Sequence, residues 1–556
     1  MLNNINTYSQ PTDNEKEKYV GIFYFVWLGQ HDAEQQGNYD ITRLFENHRQ
    51  DLFDKEGTPE SPKDQYHFWG EPLYGYYNSA DPWVITRHIE LLTEAGIDYI
   101  MIDATNGFYY PNTLFVLLDK LLSFKQKGYH IPQVAFYTNS HSGTTAGNIY
   151  EHYYRSGKYD EVWFMPEGKP LIIGITRNNN NASDQLNAPG YHDFISDDLI
   201  KYFDVRESQW PTALFNDHAF PWISWEYPQR VQNGVLPVSV AQHSPVNVVF
   251  SDTIYAKGRG FDAINKKNNK DLARTGKNFQ DQWNTVFRNK DSIYNVFITG
   301  WNEWVAIKTV INDKVAFVDA FNEEFSRDVE MMKGGYGDNF YLQMVDNIGC
   351  FKGSPVNNYK KAEISIDFNN DNLSQWNTAA HYEDLAGDAI VRNYPDFSGK
   401  NNYIDNSARN DITDIKVAHD NQNVYFLIKT EKEIIPHNGK DLNWMNILIQ
   451  TPNSKNKPFG YDFIINRFPD KQGKSAIEKA ESGNKWKKRG TAQYRLHGTY
   501  LFVSVPLKTL GMNKENVSFG FKVADNVTNQ EDIMDYYISG DSAPIGRLNF
   551  HYGNNP

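Results

Sequence analysis

The sequence predicts a chain in two parts: an α/β part folded as an N-terminal (β/α)8 TIM-type barrel, and an all-β part folded as a C-terminal antiparallel β-sandwich. Three observations predict it. Near-continuous apolar runs alternate with amphipathic helical patterns through residues 1–355, the mark of a parallel sheet covered by helices. Helical periodicity then becomes scarce, and residues 360–556 show short alternating runs divided by Asn, Asp and Gly turns. The length, 556 residues, is too great for one hydrophobic core.

In the first part the apolar runs are Val20–Trp27, Tyr99–Asp103, Gln133–Thr138, Pro170–Ile175, Ala219–Trp225, Val238–Gln242 and Asn295–Trp301, with an eighth strand expected near Ser208–Phe215. Helices are expected over Pro82–Ala95 and Pro111–Lys127. The first opens on Asp81-Pro82 and closes on Gly96, a sound start and stop. No Gly-rich phosphate loop follows any strand, which argues against a nucleotide site. The junction is expected at residues 353–362, where Gly353, Pro355, Asn357 and Asn358 punctuate the chain. Beyond it, strands are expected over Asp414–Val417, Asn423–Thr430, Met445–Thr451, Tyr461–Asn466, Tyr500–Pro506 and Val517–Val523.

Composition narrows the function. The net charge of −14 and the lack of a basic face exclude a nucleic-acid binder. Aromatic residues reach 15%, with 13 Trp, 35 Tyr and 34 Phe. Such rings supply rigid apolar faces for sugar C–H groups, or simply core packing. The single cysteine, Cys350, allows neither an internal disulfide nor a multi-Cys zinc site, and is expected as a small buried hydrophobe. No run is apolar and long enough for a membrane span. Met1–Glu17 is polar and lacks an apolar leader core, so the chain is cytoplasmic or has lost its leader. An extracytoplasmic place, in a bacterial periplasm or at the cell surface, is the expectation. No His-Glu-x-x-His, Gly-x-Ser-x-Gly or EF-hand pattern occurs, and no metal or cofactor is expected.

In a (β/α)8 barrel the active site lies at the C-terminal ends of the strands. The residues there are Trp27 with His31 and Asp32, Asp103 with Asn106, then His141, Trp225 with Glu226, Gln242 with His243, and Trp301-Asn302-Glu303-Trp304. Glu303 is the leading catalytic candidate, since a carboxyl between Trp residues can be raised by burial. Glycoside hydrolysis usually needs a second carboxyl, and Glu226 is the best placed, with Asp103 in reserve. Trp27, His31, Trp69, Glu71, Asn106, His141, Trp225, Gln242, His243, Asn302 and Trp304 are candidates for binding the substrate. Trp69 and Glu71 belong to the aromatic loop His67–Tyr77.

These residues resemble a family. Gly21–Trp27, Gly75–Pro82 continuing through Ala95–Asp98, and above all Trp301-Asn302-Glu303-Trp304 are similar to the family 99 glycoside hydrolases, endo-α-mannosidases and endo-mannanases, and to the related WbsX-type proteins. The resemblance implies that Glu303 assists attack by the sugar's own 2-hydroxyl. It also implies an acid/base Glu three residues on, where this chain has Ala306, so a second carboxyl must come from elsewhere. Asp319 and Glu323 are reserves, ahead of an Arg327-Asp328-Val329-Glu330 stretch that also matches. Trp376–Tyr382, Arg409–Ile412, Asn423–Ile428 and Asn443–Asn446 resemble a family 9 carbohydrate-binding module or DOMON-type sandwich. The expectation is a glycoside hydrolase acting on a polysaccharide or oligosaccharide. The alternatives are a non-catalytic carbohydrate-binding protein with a degenerate site, and a WbsX-like enzyme of polysaccharide assembly.

Overall fold

The structure, a computed structural model, describes residues 17–30, 37–177, 193–353, 358–452, 454, 460–481 and 485–555. Among them, eight parallel strands form one rolled sheet: β1 (Tyr19–Tyr24), β2 (Tyr99–Ala104), β3 (Gln133–Thr138), β4 (Leu171–Gly174), β5 (Asp204–Gln209), β6 (Phe220–Pro221), β7 (Val235–Val238) and β8 (Asn295–Ile298). The order β7-β8-β1-β2-β3-β4-β5-β6 makes every hydrogen-bonded pair a sequence neighbour or the β8–β1 closure. β6 and β7 lie against each other across the seam of this near-barrel.

Every residue of β2 is buried, as expected of a strand covered on both faces. Gly21 on β1 is required by its neighbour: a Cβ there would sit 2.1 Å from the Tyr99 ring. Helices α1 (Pro82–Glu94), α2 (Pro111–Gln126), α3 (Ser142–Ile149), α4 (Asp197–Tyr202), α5 (Lys277–Arg288) and α6 (Asn339–Lys352) cover the outside. The Asp81 carboxylate caps α1 by accepting the Trp83 N–H at 3.0 Å, and Pro82 takes the first helical position. The β5–β6 and β6–β7 connections carry no helix among the described residues, a departure from strict (β/α)8 alternation.

Two strands sit upstream of where the apolar runs place them. β7 ends at Val238, and Ser239–Gln242 continues past the ladder toward the barrel mouth. β5 is Asp-Val-Arg-Glu-Ser-Gln, too polar to read as a buried strand. Cys350 is exposed, not buried: the inward positions of α6 are Phe340, Tyr341, Met344, Val345, Ile348 and Phe351, and Cys350 falls on the other face.

The C-terminal strands form one long sheet, antiparallel except where Tyr359–Lys360 runs parallel to His551–Tyr552, with Arg392–Pro395 and Asn402–Asp405 paired apart from it as a hairpin. It folds over itself. Trp486–His497 pairs with Lys474–Ala480 along its first part and with Tyr500–Pro506 along its last. The two layers meet through rings such as Phe426 against Phe519 and Phe521. Trp376 and Trp444 lie in this core. The same part also packs on the barrel: Leu385, Phe397, Tyr537 and Ile545 join the barrel's apolar core.

Candidate active site

A cavity of about 440 Å³ opens at the C-terminal ends of the barrel strands. Its wall is aromatic: Phe23, Phe25, Trp27, Tyr66, Tyr110, Trp210, Trp222 and Trp225. Three carboxyl groups line it, Asp103, Glu303 and Asp319, together with His243 and Arg327.

Glu303 is held from several sides. It follows β8 in the turn Thr299–Trp304, which the extended segment Phe325–Glu330 braces. Val329 N–H donates to Gly300 O at 3.2 Å and Glu330 N–H to Trp301 O at 2.9 Å. Alternation along that segment aims Arg327 at the Glu303 carboxylate, to which its guanidinium donates, while Asp328 Oδ1 accepts the Glu303 N–H at 2.8 Å. Gly300 makes room: a Cβ there would lie 2.6 Å from Asp328 Oδ1. Trp69 Nε1–H donates to Glu303 O at 3.0 Å. Beneath, Glu330 accepts from Tyr77 at 2.7 Å and from Trp304 Nε1–H at 2.5 Å, and contacts His88 Nε2 at 2.9 Å.

Burial pushes Glu303 well above the usual carboxylate range, Arg327 pulls it back, and the charges of Asp319, Asp328 and Asp103 push it up again. Burial raises Asp319, with Arg327 opposing; its side chain still meets solvent in the cavity. Burial raises Asp103, against hydrogen bonds from the Thr105 N–H at 3.0 Å and hydroxyl at 2.8 Å and from Trp27. Asp328 is pushed up to about 7, by burial first. Burial and Arg327 push His243 well below the ordinary imidazole range, so it is neutral. Its Nε2–H donates to Val318 O at 2.9 Å, and its ring stacks on Phe250 at 3.9 Å.

The cavity therefore gathers Glu303, Asp103, Trp27, Asn106, Trp225 and His243 from the residues expected at the site. Others stand apart from it. Glu226 is more than half exposed and pairs with Arg230 at 2.8 Å, so the carboxyl expected to partner Glu303 points to solvent. Trp69 and Trp304 are fully buried and stacked on each other at 4.1 Å, leaving no ring face for a sugar. Asn302 is locked to Phe25 by two bonds of 2.9 Å and to Tyr77 at 3.2 Å. Gln242 spends its amide on Ser224 O, Glu226 O and Gln282. Glu71 pairs with Arg43 and Lys333 outside the cavity. His141 is exposed at the start of α3 and does not line the cavity. His31 and Asp32 lie outside the described residues.

Sequence reasoning did not place Arg327, Trp210, Trp222 or Tyr66 at the site, and kept Asp319 only in reserve. Trp210 and Trp222 stack at 4.7 Å, and the Arg327 guanidinium lies 5.0 Å from the Trp222 ring. The legible signal was the charged stretch Arg327-Asp328-Val329-Glu330 following a strand-end Glu. Ala306 lines the cavity, in a strand (Val305–Ile307) paired with Tyr66–Phe68. Among the described residues, two overlapping carboxylate groups have the spacing of metal ligands, and none of their members lines this cavity.

No family model matches the chain, and no curated protein matches it. Among solved structures, the GH99 endo-alpha-mannosidase from Bacteroides thetaiotaomicron is similar at 13% identity, covering 61% of this chain and 99% of that one, with a TM-score of 0.35. A glycoside hydrolase-like protein is similar at 12% identity, covering 62% and 97%, with a TM-score of 0.31. An alpha-L-fucosidase GH29 from Bacteroides thetaiotaomicron covers 90% and 93% at 10% identity and a TM-score of 0.22. TM-scores under 0.5 carry no argument for function, and the barrel rests on its own strand order.

Proposed function

We propose that the protein is a glycoside hydrolase acting on a polysaccharide or oligosaccharide, with Glu303 and Asp319 as its catalytic carboxyl pair. The observation that carries this reading is an aromatic-walled cavity at the barrel mouth holding two buried carboxyl groups, Asp103 and Glu303, and the open Asp319 beside one guanidinium. Hydrolysis of a glycosidic bond asks one carboxyl to give a proton and another to act as base or nucleophile. Two interacting carboxyls share one proton over a range of pH, and an adjacent cation decides which keeps the charge. Arg327 donates directly to Glu303, and in this reading that contact outweighs burial, holding the charge on Glu303 and leaving the proton on Asp319. Asp319, open to the cavity, is the general acid, and Glu303 is the base or nucleophile. Asp103, fixed by Thr105, accepts a sugar hydroxyl. Trp27, Trp225 and Trp210 offer rings for stacking, and the exposed Phe108, Val248 and Ile307 at the cavity wall extend that surface.

A second reading is favoured by Ala306 together with the Glu303–Arg327 pair: a carbohydrate-binding protein that keeps the cleft without proton transfer. A panel of plant, algal, fungal and host glycans separates the two. Released sugars are read by chromatography for wild type and Glu303→Gln. Release by wild type alone supports hydrolysis. Retention of one glycan on an affinity gel, with no release from any, supports the binding protein.

A further inference from the structure

Where α1 meets the C-terminal sheet, five carboxylates converge. Glu90 comes from α1, Asp384 and Asp388 follow the strand Ala380–Glu383, Asp411 precedes the strand Ile412–His419, and Asp541 opens the strand Asp541–Ala543. Glu90, Asp384, Asp388 and Asp541 are each no more than 4% exposed. Three have one oxygen satisfied. Glu90 Oε2 accepts from Arg87 at 2.9 Å, Asp411 Oδ2 from Gly387 N–H at 2.8 Å, and Asp541 Oδ2 from Ile412 N–H at 2.6 Å. Six oxygens have no well-aligned hydrogen-bond donor: Glu90 Oε1, Asp384 Oδ2, both of Asp388, Asp411 Oδ1 and Asp541 Oδ1, with the Ala389 and Asp388 N–H groups the nearest to Asp388.

The carboxylates converge on Asp388. Ligand atoms of Glu90, Asp384 and Asp388 lie within 4.8 Å of one another, and so do those of Asp388, Asp411 and Asp541. The local cations fall short. Arg87 is committed to Glu90 and stands 3.8 Å from Asp388. Lys522, buried and pushed down to about 7, is held on Pro544 O and Ser542. Without a cation, burial and the charge of Asp388 push Asp384 and Asp541 well above the usual carboxylate range and Asp411 up to about 8, so these acids hold protons that a cation would displace. Buried charges are paired or coordinate metals.

We propose that this junction binds calcium, with Asp388 at the shared vertex and Glu90, Asp384, Asp411 and Asp541 supplying the other carboxylate oxygens. The donor set is all oxygen, with no His or Cys, which selects a hard cation. Calcium takes 6–8 oxygens in flexible geometry, whereas magnesium keeps several of its waters. Four distant chain segments supply the ligands, so the ion ties α1 of the barrel to the C-terminal sheet. No linear motif announces such a site, and for that reason the sequence predicts no metal.

The test uses the full chain. Purified wild type, dialysed against metal-free buffer, is analysed by mass spectrometry for bound metals. It is then stripped with chelator and melted with and without added calcium. The expected result is calcium at about one ion or more per chain, and a Tm that falls on stripping and rises by roughly 5 °C when calcium is restored about 100-fold above its Kd. Asp388→Asn is expected to abolish that calcium-dependent rise. If the acids are instead neutralised by protons, Asp388→Asn resembles wild type and calcium moves neither Tm. That outcome overturns the proposal, as does retention of zinc or another transition metal in place of calcium. Should Asp388→Asn fail to fold, wild-type metal content and calcium-dependent melting decide alone.

Discussion

At Glu303, three contacts decide what the carboxylate can do: the Arg327 guanidinium on its oxygens, Asp328 on its N–H and Trp69 on its carbonyl. The last two fix the backbone, so the side chain reaches the cavity from a rigid turn. The charge of Asp319 is one of the forces raising Glu303. Activity needs Glu303 ionised and Asp319 protonated, so the pH–rate profile is expected to be a bell. Its acid limb is lost as Glu303 takes up a proton, and its alkaline limb as Asp319 releases one. Asp319 is still protonated while Glu303 titrates, so residual activity of Asp319→Asn should keep the acid limb in place and lose the alkaline limb. An alkaline limb that persists unchanged in Asp319→Asn contradicts the pairing. A stability effect has its own sign. Folded Asp328, at about 7, holds a proton that the unfolded chain gives up near 4, so stability should fall as pH rises through that window, by up to about 4 kcal/mol if the shift is fully expressed. Chemical denaturation of wild type and Asp328→Asn at pH 5 and pH 8 measures this, and the variant should lose that share of the slope, the rest belonging to acids such as Glu94, which burial pushes up to about 7.

The elements show which rings are architecture and which are surface. Trp69 and Trp304 form one stacked pair beneath the Glu303 turn, fully buried, whereas Trp225 is partly exposed and faces the cavity. Trp69→Ala should cost about 3–5 kcal/mol of stability. Trp225→Ala should leave the melting temperature nearly unchanged and raise KM or weaken glycan retention. Thermal melts beside binding isotherms separate the two effects. Sequence could not make this distinction, because strand-end position is shared by both kinds of Trp. It located the turn through the apolar run ahead of it, and α1 and α2 through Asp81-Pro82 and Pro111. It misplaced β5, whose charged residues hide a strand, and took Glu226 for a site residue because a Trp-Glu pair follows an apolar run. The connection after β6 in fact turns that carboxylate to Arg230. Asp319 was hard to weigh because a hairpin, not a barrel strand, delivers it to the mouth.

Across the whole molecule, the C-terminal part completes the barrel. Arg392 pairs with Asp81 at 2.7 Å and donates to Tyr74 O at 3.0 Å, so a residue from beyond the junction secures the cap of α1. Phe397 packs on Phe68, and the Tyr537 hydroxyl donates to Asp338 at 3.0 Å. The buried Arg87 and Glu90 of α1 follow from this cover, Arg87 donating to Gly540 O at 3.0 Å. Composition marked the change of character near residue 355 but not this interdependence, which rests on contacts hundreds of residues apart. A chain ended at residue 355 is therefore expected to be insoluble or to lack a cooperative melt, and a soluble, cooperatively melting fragment would contradict that. The central claim is that Glu303 and Asp319, not Glu226, make the catalytic pair. Its most direct test is the initial rate of sugar release by wild type, Asp319→Asn and Glu226→Gln on the glycan that wild type cleaves. The prediction is a loss of about a hundredfold or more for Asp319→Asn with the glycan still bound, and a rate within about twofold of wild type for Glu226→Gln, as befits an exposed ion pair. A fully active Asp319→Asn, or an inactive Glu226→Gln, contradicts it.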